Sequence, residues 1–312
     1  ERVILDEAHH LEDVATSYFS AQITRFTFSR VLNRLRHPRK PNQGLLPRFL
    51  DQLSQQLPET EDELYRNLHE LIESLLSKRQ QLLELALDEL QSIAEELPDA
   101  LGKKVSSTFE LKHRVLPDFL ATPIWQQIDR RVEKLRLGSH ELAEALLGLI
   151  KAADALPEDL ADKLNSSLVD IRGIAGRLEG IAADLASFQA VAAESCIWLE
   201  IREGRIGRGK GLITSLCQAP LEVAESLNKA LYERFRTLVM TSATLTVAGA
   251  FGYYHSRVGL DRVEPDRLIE LSLESPFNYQ QQALVAVPND LPEPGKPGFT
   301  EAVRDATEKA LL

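Results

Sequence analysis

The chain opens on Glu1-Arg2-Val3-Ile4-Leu5-Asp6-Glu7-Ala8-His9-His10-Leu11-Glu12-Asp13. Val3, Ile4 and Leu5 form an apolar run that stops abruptly at two carboxylates. Such a run predicts the end of a fully buried strand of the kind a parallel sheet uses. His10 to Phe19 then has helical spacing, with Leu11, Val14, Ala15 and Tyr18 on one side. Ligands of open parallel sheets bind at the carboxyl ends of the strands, where Asp6 and Glu7 fall. A carboxylate there suits Mg²⁺ beside a nucleotide's phosphates, and its neighbour suits a general base for an attacking water. The plainer alternative is that both acids cap the next helix.

A second stretch has the same form. Thr237-Leu-Val-Met-Thr241 predicts a short buried strand, and it runs into Ser242-Ala243-Thr244 with hydroxyls at its tip. An ordinary strand-to-helix cap is again the alternative.

Between the two, from about Ile23 to Ala193, the pattern is helical almost throughout. Thr60-Glu-Asp-Glu63 reads as a capping box after Pro58. The helix it starts carries Leu64, Leu68, Leu71, Leu75, Leu82 and Leu85 up to Leu97, and Pro98 is expected to stop it. That is about 36 residues, or roughly 54 Å. A second helix is expected from Pro123 to about Ala155, with Gly138 as a possible break. A third is expected from Glu158 to Ala193 on a stripe of Leu160, Leu164, Leu168, Ile171, Ile174, Leu178, Ile181 and Leu185. Long helices with one apolar stripe each must pack on one another, which predicts an elongated bundle. No internal repeat is evident. After Ala193, Cys196–Ile201 and Gly211–Leu216 predict a hairpin turning at Glu203-Gly204. Pro220–Phe235 predicts an amphipathic helix and Ala283–Val287 another buried strand. Asn289–Gly298 predicts a loop and Phe299–Leu312 a helix. The fold class is therefore mixed: a long helical block inserted into an α/β domain.

The composition narrows the function classes. The chain has 312 residues, 44% hydrophobic and 27% charged, enough for roughly two domains. No apolar run is long enough for a membrane span or a signal peptide. Two cysteines, Cys196 and Cys217, make no disulfide framework and fit a reducing cytosol. They also fall short of the four thiolates of an iron–sulfur cluster. A net charge of −11 argues against a generic nucleic-acid coat protein. The charge is uneven, however. Arg25, Arg30, Arg34, Arg36, Arg39 and Lys40 lie in a stretch, Thr24 to Lys40, that holds no acid. Asp6, His9, His10 and Asp13 match no zinc spacing.

Asp-Glu-Ala-His and Thr-Ser-Ala-Thr, in this order and each after an apolar strand, resemble motifs II and III of the superfamily 2 helicases. A large helical insertion between them resembles the arch domain of the XPD/DinG family of DNA helicases. Cys217–Val223, Ala250–Tyr253, Arg257–Leu260, Ser275–Asn278 and Ala283–Val287 fit the same family, closest to its bacterial DinG-like branch. The resemblance implies that residues 1–20 and 194–262 are parts of a first RecA-like motor domain. Residues 21–193 would be the arch, and 263–312 the start of a second motor domain. It implies Asp6, with Glu7, at Mg²⁺; Glu7 as catalytic base; His9 as a sensor of nucleotide state; and Thr241, Ser242 and Thr244 as the link between hydrolysis and DNA movement. The parent would use ATP and Mg²⁺, travel 5′ to 3′ on single-stranded DNA, open duplexes and their junctions, and serve DNA repair in the cytoplasm.

No G-x-x-x-x-G-K-[ST] loop occurs in the chain, so nothing of that kind cradles the β- and γ-phosphates. The chain is accordingly expected to be an internal segment, inactive alone, that leaves open whether the parent holds an iron–sulfur cluster. Arg25, Arg30, Arg34 and Arg36 are nucleic-acid candidates, with a solvated helix face as the alternative. Arg205, Arg208 and Lys210, with Arg202, form a second basic cluster in a Gly-rich hairpin turn, where a plain surface loop is the alternative. Phe26 and Phe28 could stack on bases, although aromatics at this spacing more often belong to a core, and Trp125 and Trp198 are assigned to packing. Two rival functions remain: a non-catalytic helical interaction module, and the motor part of a DinG-like nuclease-helicase.

Overall fold

The computed structural model describes residues 2–55, 63–207 and 209–311. They fall into two units, Glu1–Glu264 and Pro265–Leu312. In the first unit, strand β1 (Arg2–Leu5) leads through a tight turn at Ala8–His10 into helix α1 (Leu11–Phe19). Strand β2 (Ala21–Thr24) runs straight into α2 (Arg25–Leu35). Thr24 closes the start of α2: its hydroxyl accepts from Phe26 N–H at 3.2 Å, and Thr27 Oγ1 accepts from Thr24 N–H at 3.1 Å. Helix α3 (Leu45–Ser54) follows, then α4, described over Glu63–Ala100. Strand β3 (Leu111–Arg114) and the single turn α5 (Pro117–Leu120) precede two long helices, α6 (Pro123–Ala153) and α7 (Glu158–Ala190). Strands β4 (Ser195–Ile206) and β5 (Gly209–Pro220) form the hairpin. A short helix α8 (Ala224–Leu227) continues as one π turn, Asn228–Tyr232, before β6 (Thr237–Met240) and α9 (Gly252–Val258). The second unit holds α10 (Tyr279–Gln282) and α11 (Phe299–Leu311).

Two sheets organise the first unit. β1 and β6 pair in parallel, with Val3 opposite Leu238 and Leu5 opposite Met240. The other sheet is antiparallel in the order β2-β5-β4-β3. One face of it, with Ile197, Leu199, Ile201 and Leu216, joins the core of the helices, where Leu82, Leu135, Leu146 and Leu178 are almost fully buried. Truncating such a leucine to alanine costs about 2–5 kcal/mol. The hairpin therefore packs with the helical block.

The long helices follow their stripes, and two glycine and proline expectations are corrected. Gly138 does not interrupt α6. It lies against α4, where a Cβ would come 3.0 Å from Leu82 Cδ1, so its missing side chain lets the helices approach. Pro98 sits inside the last turn of α4 instead of ending it. The chain leaves the helix at Gly102 (φ +62), with Lys103 N–H bonded to Pro98 O at 2.9 Å. The capping box at Thr60 lies outside the described residues.

Other expectations are overturned. β2 and β3 occupy stretches read as helical. β1 and β6 are half exposed, not buried: Ile4 shows 73% and Val239 44% of its surface, because a two-stranded sheet covers only part of each strand. In α1 the packed residues are Leu11, Ala15 and Phe19, while Val14 and Tyr18 face outward. The hairpin turns between Ile206 and Gly209, and Gly204 is a paired strand residue opposite Gly211. A Cβ on Gly204 would overlap Ile213 Cδ1 at 2.4 Å, which explains the glycine without a turn. The amphipathic helix expected over Pro220–Phe235 is confined to Ala224–Tyr232. Ala283–Val287 forms no strand, with Leu284 93% exposed, and no described strand pairs with it.

Two polar clusters brace the block. Buried Glu89 on α4 accepts from Arg131 (2.6 Å) and Lys134 (2.5 Å) on α6, and Arg131 also reaches Glu96. Burial opposes ionisation of Glu89, yet the hydrogen bonds and charges of Lys134 and Arg131 outweigh it and hold the carboxyl below its usual range. Among the described residues, buried Arg79 on α4 has no carboxylate partner. It donates to Leu32 O, Asn33 Oδ1 and Arg36 O, and so ties down the end of α2.

Candidate nucleotide edge and basic surfaces

The parallel pairing of β1 with β6 puts the two strand tips side by side. Ala8 N–H bonds Thr241 O at 3.0 Å and Thr241 N–H bonds Leu5 O at 2.9 Å, so the pairing runs past both strand ends. On this frame Thr241 Oγ1 donates to Asp6 Oδ1 at 2.7 Å. That bond, and a second from the Glu7 backbone N–H, hold the exposed Asp6 carboxyl below its usual range. His9 Nδ1 lies 2.8 Å from Ser242 Oγ and 3.2 Å from Glu7 Oε2. One nitrogen thus faces two partners, and exchanging a hydrogen bond between them carries a small net cost. Thr244 contributes its backbone N–H to Ser242 Oγ at 3.4 Å; its own side chain faces solvent.

Glu7 has φ 52°, ψ 43°, in the left-handed region, a strain of about 1–2 kcal/mol for a non-glycine residue. The turn is held from beneath. Tyr254 on α9 donates to Ala8 O at 2.9 Å and touches Met240 Sδ at 3.4 Å. Burial pushes the Tyr254 hydroxyl up to about 12, so it stays a donor. Tyr232 in the π turn donates to Val258 O at 2.9 Å, and Arg257 on α9 pairs with Glu12 on α1. Sequence reasoning passed over Tyr254 and Tyr232, since a tyrosine that serves a distant backbone carbonyl leaves no local pattern.

The capping alternative fails on geometry. Neither the turn at Ala8–His10 nor α1 receives a side-chain cap, and no helix follows Thr241–Thr244 until Gly252. As a metal ligand, ionised and exposed Asp6 fits Mg²⁺, which binds nucleotide sites through one or two carboxylates, phosphates and water. Among the described residues no three His, Cys, Asp or Glu side chains converge as a ready-made metal cage.

The basic candidates divide. Arg30, Arg34, Arg39 and Lys40 are exposed along and after α2; Arg25 is half-buried, and so is Arg36, whose Nε bonds Pro41 O at 3.1 Å. Phe28 is fully buried core, while Phe26 is 39% exposed. Arg205 and Lys210 face each other as strand neighbours at the hairpin tip, with Lys210 paired to Glu203 at 3.3 Å. Arg208 lies outside the described residues. Trp125 is buried against Phe119 and Phe188, whereas Trp198 is half exposed and donates to Glu200 at 2.8 Å. No described helix is long and apolar enough to cross a membrane.

No family model matches the chain. It is 30% identical over 112 residues to 3'-5' exonuclease DinG of Bacillus subtilis, covering 36% of this chain and 11% of that protein. It is 34% identical over 84 residues to ATP-dependent DNA helicase YoaA of Escherichia coli, covering 27% and 12%. It is 34% identical over 130 residues to ATP-dependent helicase DinG of Mycobacterium tuberculosis, covering 41% and 18%. These matches span between about a tenth and a fifth of the relatives' lengths.

Proposed function

We propose that this DinG-like chain is a segment of an ATP-dependent DNA helicase that travels 5′ to 3′ on single-stranded DNA and opens duplexes. In this reading β1, β6 and the helices around them belong to the first motor domain. The long helices within residues 21–193 are the arch, with the hairpin packed on them, and residues 263–312 begin the second motor domain.

One observation carries the reading. Asp6 and His9 are hydrogen-bonded to Thr241 and Ser242 at 2.7 and 2.8 Å, across the tips of two adjacent parallel strands. Plain helix caps have no need of that link. A motor does, because the state of the nucleotide must reach the DNA-moving parts. Asp6 would hold Mg²⁺, which would neutralise charge on the phosphates. Glu7 would take the proton of the attacking water. His9, placed between Glu7 and Ser242, would shift its hydrogen bond when the γ-phosphate leaves. The residues in hand do not include a phosphate-cradling loop, so this chain by itself would not turn over ATP.

The test is Glu7→Gln in the longer protein, read by strand separation of a 5′-tailed duplex. Loss of unwinding supports the assignment; unwinding at the native rate refutes it. Glu7-dependent ATPase activity from the 312-residue chain would refute the expected inactivity.

A further inference from the structure

Seven Lys and Arg residues and no acid lie between Thr24 and Leu50, in a chain whose net charge is −11. None of the seven forms an ion pair among the described residues. Elsewhere in the bundle Arg131 meets Glu89 and Glu96, and Arg136 meets Glu133. The stability of α2 gains nothing from its own cations near the start. Arg25 opens the helix, where the macrodipole disfavours positive charge, and Arg30 and Arg34 are four residues apart, where like charges repel.

Burial shows how α2 presents these side chains. Phe28, Val31, Leu32 and Leu35 are buried, and the exposed residues of the helix are Phe26, Arg30 and Arg34. Each is four positions from the next, so they form one stripe about 12 Å long, with neighbouring Cβ atoms roughly 5–6 Å apart. Arg30 and Arg34 have no hydrogen-bond partner among the described residues. Arg79 serves the carbonyls at the C-terminal end of α2 from beneath, a task that a last-turn cation of the helix itself can perform. The hydrogen-bond chain from Arg79 reaches a carboxylate, Glu84, only through the amide of Gln80. Burial, and then the charge of Arg36, disfavour the ionised form of Arg79. Across the groove beside α2, α7 contributes Arg177 and Asp184, whose charges cancel.

The segment after the helix is basic and ordered. His37 Nδ1 accepts from the Arg39 and Lys40 N–H groups at 3.1 Å each, and His37 N–H bonds Gln43 O at 2.7 Å. Arg39 and Lys40 are exposed on this closed loop.

We propose that this surface binds single-stranded nucleic acid, with a base stacked on Phe26 and phosphates on Arg30 and Arg34. A polyanion relieves the repulsion among the unpaired cations. An exposed ring in line with two guanidinium groups suits a strand whose bases are free to stack, and a duplex has none free. The proposal rests on the helicase reading only for the source of the strand, DNA.

The experiment titrates the 312-residue chain into fluorescein-labelled dT15 and into a labelled duplex of the same length, read by anisotropy. Tighter binding of dT15 is expected. Arg30→Gln with Arg34→Gln should lower the slope of log K against log salt by about 1.4, from about 0.7 for each phosphate on a single strand. Phe26→Ala should weaken dT15 binding roughly 5- to 150-fold, as loss of one stacked base does, while Phe26→Tyr should retain it. Lys151→Gln with Arg172→Gln removes two exposed cations from α6 and α7 and should leave the slope unchanged. Unchanged urea midpoints establish that loss of binding is not loss of fold. The proposal is overturned if the chain binds neither DNA, or binds the duplex as tightly as dT15. It is also overturned if Phe26→Ala or the Arg30 and Arg34 pair binds as the native chain does, or if the Lys151 and Arg172 pair lowers the slope equally. Strand separation by the Glu7→Gln protein tests the motor independently, so either reading can fail while the other holds.

Discussion

Tyr254 donates its phenolic hydrogen to the carbonyl of Ala8, 246 residues away, at 2.9 Å. That bond fixes the Ala8–His9 peptide, one residue beyond Glu7, whose backbone is left-handed. A side chain downstream of one strand thereby sets the geometry of the turn that ends the other.

Tyr254→Phe keeps the ring and removes the bond. The buried Ala8 carbonyl then lacks this donor, and a loss of about 1–3 kcal/mol is expected. Urea titration should show a lower midpoint at an unchanged slope. An unchanged midpoint would mean that the turn holds its shape without the tyrosine.

Gly259 and Gly249 test backbone strain against crowding. Both have positive φ, +80° and +79°, but a Cβ at 259 would lie 2.4 Å from Ala224 O, and one at 249 meets nothing within 4 Å. Gly249→Ala should cost about 1–2 kcal/mol, from conformation alone. Gly259→Ala should cost clearly more, since the helix α8 backbone must move as well. Equal losses in paired thermal melts would refute the packing role of Gly259.

The Glu89 cluster predicts a pH signature. The folded-state pKa of Glu89 is lowered, so its stabilising contribution is fully present above the ordinary glutamate value of about 4.3. It is lost as pH falls through the lower folded value. Glu89→Gln should therefore destabilise the chain at pH 7, and the gap between variant and native should narrow below about pH 4. A gap independent of pH would show that the ion pairs contribute nothing through charge.

Arg79→Met removes three hydrogen bonds from the end of α2 while filling most of the same volume. The expected loss is about 2–4 kcal/mol, near 1 for each abandoned acceptor. Hydrogen exchange should speed up first in the Leu32–Arg36 amides; protection there equal to native would sink the role given to Arg79.

What was legible in the sequence follows from how local each signal is. α6 and α7 were readable because Leu, Ile and Val recur on one face for eight turns or more, and tertiary context rarely overrides so long a stripe. Asp6, Glu7, His9, Thr241 and Ser242 were readable as two strand-end motifs, although nothing local showed that they touch. β2 and β3 were not readable: four residues such as Leu-Lys-His-Arg carry too little alternation, and their strand state comes from β4 and β5 beside them. Ala283–Val287 shows the converse. Its residues suit a buried strand, but a strand needs a neighbour to pair with. Glu203-Gly204 looked like a turn because glycine has two uses, and here it makes room for Ile213.

The pairing of β2 with β5 sets Ala21 opposite Gln218, and so brings together the two places where the helical block leaves the small parallel sheet. Joining β1 to β6 across an unstructured chain would close a loop of about 230 residues, at an entropic cost near 5 kcal/mol. Once the block has folded, only about 30 residues remain loose between the strands, and the cost falls by roughly 2 kcal/mol. Assembly therefore has a preferred order. The helices and their sheet form first, and the carboxylate and hydroxyl tips meet afterwards, on a closure that the block has already made short.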